Sequence, residues 1–553
     1  MAKKRLNKKI VFLGSVFLIL FLLVAIGGIL YLTQGPEKFI EDGDAAQKAA
    51  DETSDPNTKE EKYKEAIRNY SRARARAKSD ELKVEMLFKL IDVSLKTDEW
   101  RNVLGCWNRI VQIDSTNIKA RYGRLKYLYI IAEGGGRRVW NEISSQASEL
   151  IEVVENKNLL NDERNKWESF DIKEKRAGSQ FMGPFLYFAK GRALLEIADM
   201  GGVTDIDETF EQAIESLKKV LEFEPDNVDA HWFLTQCIYK KGLLLASRGE
   251  IEAKEKASKD AMELLEKVVR TKEDEPRAHL SLLEMKFMLL EGNRFDEIEN
   301  QIKEIESGYI SLTKRFDSYA ESFSGLANFY YLLDYYRRLG AENIDKSIEA
   351  IERAIELDKE NVSYAIMASR LRHQKFSISR ETSELYKALE LAENALKFPD
   401  AEDIPGPRQT ESLNNRVALY DFLANCYIEQ ILDPLEDATQ QKKQQWITKA
   451  ENAVHEIEQL FGSGEDPRVT KWRGMLELAK AELGQGDKNA AIRMLYTTYE
   501  HFKASGRADA QLSYTLAKCF ENSAETGAAM EFLVTSINAG IDRYKPDVPL
   551  DYL

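Results

Sequence analysis

The chain has 553 residues, too many for one ordinary globular core, and its 30 glycines and 12 prolines are too few for a β-sandwich or barrel of that size. Aromatic residues at 10% are too many for a disordered chain, and four cysteines cannot staple one so long. A formal charge of −15 argues against a nucleic-acid partner, since phosphate contacts call for a basic face, so the composition predicts a large, acidic, all-α protein.

The N-terminus predicts a membrane anchor. Residues 1–9 carry Lys3, Lys4, Arg5, Lys8 and Lys9, and residues 10–32 contain no charge at all. At about 1.5 Å per residue such a helix reaches roughly 35 Å, enough to cross a hydrocarbon core of about 30 Å. No Ala-x-Ala site follows, which favours an uncleaved signal anchor over a cleaved signal peptide. Glu37, Glu41, Asp42 and Asp44 come next, opposed only by Lys38. The positive-inside rule then keeps residues 1–9 in the cytoplasm and sends the remainder across, as a single-pass protein.

From Pro36 onward, helical segments of about 12–20 residues alternate with short Gly- or Pro-containing breaks. Ala66, Tyr70 and Ala73 share one helix stripe at offsets of four and seven, beside a basic run (Arg68, Arg72, Arg74, Arg76, Lys78) that reads as a solvated face. The same offsets recur at Val103, Trp107, Ile110; at Ala213, Leu217, Val220; at Ser347, Ile351, Ala354; and at Ala388, Ala392, Ala395. Three of these stripes end in nearly one phrase, each closing on Asn and a β-branched residue: Asn117-Ile118, Asn227-Val228 and Asn361-Val362. Residues 134–180 and 398–411 are the least repeat-like and are expected to hold insertions.

These stripes resemble the tetratricopeptide repeat (TPR) family, whose unit is a helix-turn-helix with a small-apolar-small second helix and a Pro at its exit. Ala213, Leu217, Val220 and Pro225 match that second helix in full, and Gly486 to Ile492 looks like the turn into another. The family's first-helix Trp, Leu and Gly pattern is mostly missing. The resemblance implies a right-handed superhelical solenoid of about eleven hairpins over residues 37–540, with 541–553 as a tail. Neighbouring hairpins would supply each other's core.

The candidate chemistry is sparse. Cys237, Cys426 and Cys519 each stand three residues after a Leu, and Ala481 follows Leu478 in the same way, so the position is a small packing site. Cys106 beside Trp107 reads as core as well. No Cys-x-x-Cys spacing exists, and the five histidines are scattered singly, which predicts no metal and no cofactor. No nucleophile elbow or phosphate loop is present, and Gly134-Gly135-Gly136 follows no strand. Phe329, Tyr330, Tyr331, Tyr335 and Tyr336 form a dense aromatic cluster, read as core. The expectation is a protein that is not an enzyme.

In the TPR family the first helices line a concave groove that takes an extended peptide or a partner helix. Carried over by position, the groove would include Trp232, Gln236 and Tyr239, then Asn425 and Ile428, then Tyr514 and Lys518. Asn425 is followed four residues on by Glu429, where the carboxylate clamp of chaperone-binding members has a cation. The resemblance therefore implies a membrane-tethered scaffold for protein or peptide partners, on the periplasmic side of a bacterial inner membrane. The alternatives are a TPR array facing the cytosol, as in mitochondrial import receptors, and an enzyme subunit with its site in an insertion such as 134–180.

Overall fold

The computed structural model describes residues 34–542 apart from 98–99, 134–138, 157–181, 201–203, 291–294, 338–342, 402–408, 435–437, 462–465, 506–508 and 522–525. The expected anchor at 10–32 lies outside the described residues, among which no helix is long and apolar enough to cross a membrane. The triple glycine at 134–136 also lies outside them.

The described elements are twenty-two α-helices and one short 3-10 turn, and the helices pair into hairpins. In order they are α1 (Pro36–Glu52), α2 (Pro56–Arg76), α3 (Asp80–Lys96), α4 (Trp100–Ile113), α5 (Ile118–Glu133), α6 (Trp140–Asn156), α7 (Met182–Met200) and α8 (Ile206–Phe223). Then follow α9 (Val228–Ser247), α10 (Ile251–Thr271), α11 (Pro276–Met288), α12 (Phe295–Arg315), α13 (Ala320–Arg337), α14 (Ile344–Leu357), α15 (Val362–Ser379) and α16 (Thr382–Ala395). The last are α17 (Gln409–Leu432), α18 (Gln440–Phe461), α19 (Pro467–Glu482), α20 (Lys488–Ala504), α21 (Ala510–Glu521) and α22 (Thr526–Asp542). Apart from α5, each odd-numbered helix packs against the even-numbered helix that follows it, and α6 packs against α7. The result is an all-α solenoid of paired helices, divided into two compact units, one ending at Leu128 and the other beginning at Tyr129.

Within residues 134–180 the structure describes helix α6, with Ile143, Ala147, Leu150 and Val154 buried at alternating spacings of four and three; residues 134–138 and 157–180 lie outside the described residues. Residues 398–411 hold the 3-10 turn Pro399–Ala401 and the start of α17.

The repeated Asn phrases are helix starts, and the structure shows why. Asn117, Asn227 and Asn361 are N-caps whose Oδ1 accepts the backbone N–H of the third residue on, at 3.0, 2.9 and 3.2 Å. The preceding turn is also the same each time. The chain leaves the even helix with an N–H donated to Ile110, Val220 or Ala354, and the Asn N–H then donates back to Asp114, Glu224 or Asp358. The turn recurs without the phrase at Lys272–Glu275 and Phe316–Tyr319. Two of the five histidines serve these turns, since His231 and His279 bond through Nε2 to the carbonyls of Pro225 and Glu273, at 2.9 and 2.8 Å.

In the first unit Ala66, Tyr70 and Ala73 of α2 are fully buried, as are Val103 and Ile110 of α4. The Tyr70 hydroxyl donates to Asp44 at 2.7 Å, and Lys89 bonds the same carboxylate oxygen at 2.6 Å. In the second unit Ala213, Leu217, Val220, Ile351 and Ala354 have no exposed surface, nor do Cys237 and Cys426. Cys519 is half-buried, Cys106 is buried, and Pro225 is exposed at its turn. Phe329 and Tyr330 are core, with Phe329 ringed by Phe287 and Tyr309 at centroid distances of 5.1 and 5.3 Å.

Close helix crossings depend on glycines in odd helices. A Cβ on Gly242 of α9 would collide with the Ala257 Cβ of α10, and one on Gly191 of α7 would lie 2.7 Å from Leu217 of α8. The acidic even helices are held to the odd ones by ion pairs, including Lys286–Glu304 at 3.1 Å, Lys375–Asp345 at 2.7 Å and Lys480–Glu451 at 3.1 Å. Part of the chain's negative charge is thus neutralised between paired and stacked helices.

Candidate functional site

On the face built by the odd helices, polar contacts join α15 to α17 and α17 to α19. His373 of α15 sits with Nε2 3.0 Å from Glu429 Oε2 of α17 and packs edge-on against Phe422, ring centroids 5.8 Å apart. Two turns on, Arg380 bonds Asp433 at 3.2 Å. On the other side Trp472 of α19 donates its indole N–H to Asp421 at 2.6 Å. Each contact joins the first helix of one hairpin to that of the next, so these groups set the stacking and also furnish the surface.

Electrostatics at this junction follow from its partial burial. Burial opposes protonation of His373, yet the Cys426 sulfur and the Glu429 carboxylate, both hydrogen-bonded to the ring, hold it well above the ordinary histidine value. Burial likewise opposes ionisation of Glu429, but the charge and hydrogen bond of His373 outweigh it and hold the carboxyl below the usual range. The Glu429 side chain keeps 33% exposure, so the pair presents a fixed carboxylate rim to solvent. Asn425, one turn before Glu429, is half-buried.

The other expected groove residues divide into two kinds. Trp232, Tyr239 and Ile428 are 6%, 2% and 1% exposed and belong to the core, because their spacing puts them on the stripe that meets the neighbouring helices. Tyr239 spends its hydroxyl on the Met288 carbonyl at 3.3 Å. Gln236 is half-buried one turn before Lys240, which pairs with Asp199; Tyr514 is half-buried, and Lys518 is exposed with its ammonium 5.5 Å from the Tyr514 ring. Gln236, Asn425 and Tyr514 lie on α9, α17 and α21, strung along the array and not gathered in one pocket. Among the described residues no group of His, Cys, Asp and Glu is placed to hold a metal ion.

Sequence reasoning missed His373, Phe422 and Arg380. The signal was present in Glu429, whose anionic character at a groove position asks for a cation. That cation is 56 residues earlier, on the preceding first helix.

No family model matches the chain, and a search of curated proteins finds no match either. Solved structures that it resembles are TPR proteins. The thermophilic TPR protein TTC0263 of Thermus thermophilus is 15% identical, over 42% of this chain and 98% of its own, with a TM-score of 0.28. Yeast Tom70 is 12% identical, over 91% of this chain and 96% of its own, with a TM-score of 0.28. The Cut9-Hcn1 hetero-tetramer of the APC/C gives 12% identity, 96% and 98% coverage and a TM-score of 0.33. The hairpins themselves carry the fold: an all-helical array with repeated small-apolar-small second helices and recurring Asn-capped turns, consistent with the TPR family.

Proposed function

We propose that the protein is a single-pass membrane-tethered scaffold whose odd-helix face holds a protein or peptide partner on the extracytoplasmic side of a bacterial inner membrane. The observation that carries the reading is the odd-helix junction at α15, α17 and α19. There Glu429, Asn425 and Phe422 keep partial exposure on a rigidly stacked surface, next to an ionic pair that orients the carboxylate. The rim favours a partner segment with a donor or cation for Glu429 and an apolar side chain against Phe422. The chain is taken as a right-handed superhelix, which lays the odd helices along the groove. The charge-free stretch at 10–32, flanked by five cations on one side and carboxylates on the other, supports the tether and its orientation.

Photo-crosslinking in cells from Gln236, Asn425 and Lys518, with the exposed Lys259 of α10 as control, tests the groove. One discrete partner captured from the odd face alone is the expected result. Equal labelling from all four positions would count against a groove there. Protease accessibility tests the compartment: the array should be degraded in spheroplasts and protected in intact cells. Protection in both would place the array in the cytosol.

A further inference from the structure

Between α16 and α18 lies a cleft of about 230 Å³, with Tyr427 of α17 in its lining. Its walls belong chiefly to even helices, so it is a surface distinct from the odd-helix face. One end is satisfied within the chain. Tyr427 and Lys449 both donate to the Glu393 carboxylate, the lysine at 2.7 Å. Burial opposes ionisation of Glu393, but these bonds outweigh it and hold the carboxyl below its usual range. The other end is open. Tyr386 of α16 is 43% exposed, and Glu390 stands one turn further along the same helix. Glu390 is exposed as well and makes no hydrogen bond or ion pair among the described residues.

The aromatic rings at the open end accept a cation. The ammonium of Lys442, on α18, lies 5.3 Å from the Tyr386 ring centroid and 5.4 Å from that of Trp446, within reach of cation–π attraction. Lys442 is half-buried and its four-carbon stem is flexible, so it can yield the place. What the cleft lacks is a counter-ion for Glu390.

We propose that this cleft docks an arginine side chain of a partner protein. Tyr386, Glu390 and Glu393 follow one another at offsets of four and three, on one flank of α16. About 6 Å of helix axis separates the first two, so a guanidinium lying flat on the Tyr386 ring brings its N–H edge to the Glu390 carboxylate. Arginine makes both contacts at once. A lysine ammonium is a point charge, with neither a plane to stack nor a fork to pair with the acid. The volume suits one long side chain, whereas whole small molecules occupy pockets of about 300–1,000 Å³.

The test uses the full chain in detergent, labelled with 5-fluorotryptophan, and the capped peptide acetyl-Gly-Gly-Arg-Gly-Gly-amide. The chain has seven tryptophans, and Trp446→Phe assigns the fluorine resonance at the cleft. The arginine peptide should shift that resonance with a Kd in the millimolar range, about what one side chain can supply. Its lysine twin should bind several-fold more weakly, and its neutral citrulline twin should leave the resonance unmoved. Glu390→Gln and Tyr386→Ala change only exposed side chains and should weaken binding by about tenfold and about fourfold. Lys442→Gln should strengthen it several-fold, because it removes the competing cation. An unmoved resonance, equal shifts from arginine and citrulline peptides, or binding that Lys442→Gln fails to strengthen would overturn the proposal. Tighter binding of free arginine than of the capped peptide would overturn it too, by making the occupant a small molecule.

Discussion

Glu384 of α16 offers the sharpest energetic test of how the hairpins are held. Its side chain is only 6% exposed, and three cations surround it: Arg372 of α15, Lys387 at 3.5 Å and Lys375 at 3.9 Å. Arg372, itself 9% exposed, has one other carboxylate partner, Glu352 of α14. Glu384→Ala would leave a buried guanidinium with half its compensation, and breaking a buried pair from one side costs about 3–5 kcal/mol. Glu352 is 47% exposed and screened, so it retains part of the pairing and sets the expected loss near the lower end, about 3 kcal/mol. That is roughly a 150-fold rise in local opening. Hydrogen exchange followed by mass spectrometry should show the loss concentrated in α15 and α16, because each repeat of a solenoid is coupled chiefly to its neighbours. Replacing both partners by apolar residues (Arg372→Met with Glu384→Leu) should recover most of the stability. If Glu384→Ala leaves exchange in α15 and α16 unchanged, or the double replacement is as damaging as the single one, the pair does not hold the hairpin and the reasoning fails.

Three further outcomes are expected. Gly242→Ala should destabilise by about 1–3 kcal/mol despite the roughly 1 kcal/mol that alanine gains in helix propensity, since the short Ala257 side chain cannot move aside; denaturant unfolding measures it, and a gain in stability would refute the close crossing. The His373–Glu429 pair should contribute fully below the ordinary histidine value of about 6.5 and lose its contribution as pH rises through the raised folded value. On the acid side it should weaken as pH falls through the depressed value of Glu429, and exchange in α15 and α17 of His373→Gln should show neither dependence. Burial pushes the Cys237 thiol up to about 12 and the Cys519 thiol up to about 11, so both should resist alkylation in the native protein at pH 8; rates equal to those of the denatured chain would contradict the packing role.

The second helices were legible because their physics is local. Ala213, Leu217 and Val220 recur at offsets of four and seven whatever lies around them, and the Asn117, Asn227 and Asn361 caps act within three residues of their own position. Helix α6 was read as part of an insertion because the phrase closing on Asn and a β-branched residue does not recur in the sequence after its stripe. First helices were harder. They are apolar on more than one side, since each meets its own partner and both neighbouring hairpins, so no single period separates Trp232 and Tyr239 in the core from Gln236 on the surface.

By itself the sequence determined the helical class, the hairpin as the unit and the charge asymmetry around residues 10–32, because composition and short-range periodicity record those directly. Only the tertiary structure decided which first-helix side chains remain exposed and which carboxylates have buried cations. It also paired His373 with Glu429 across two hairpins and brought the Lys442 ammonium to the Tyr386 ring. Such features depend on residues dozens of positions apart being brought to a few ångströms, and stacking determines that, not the pattern within one helix.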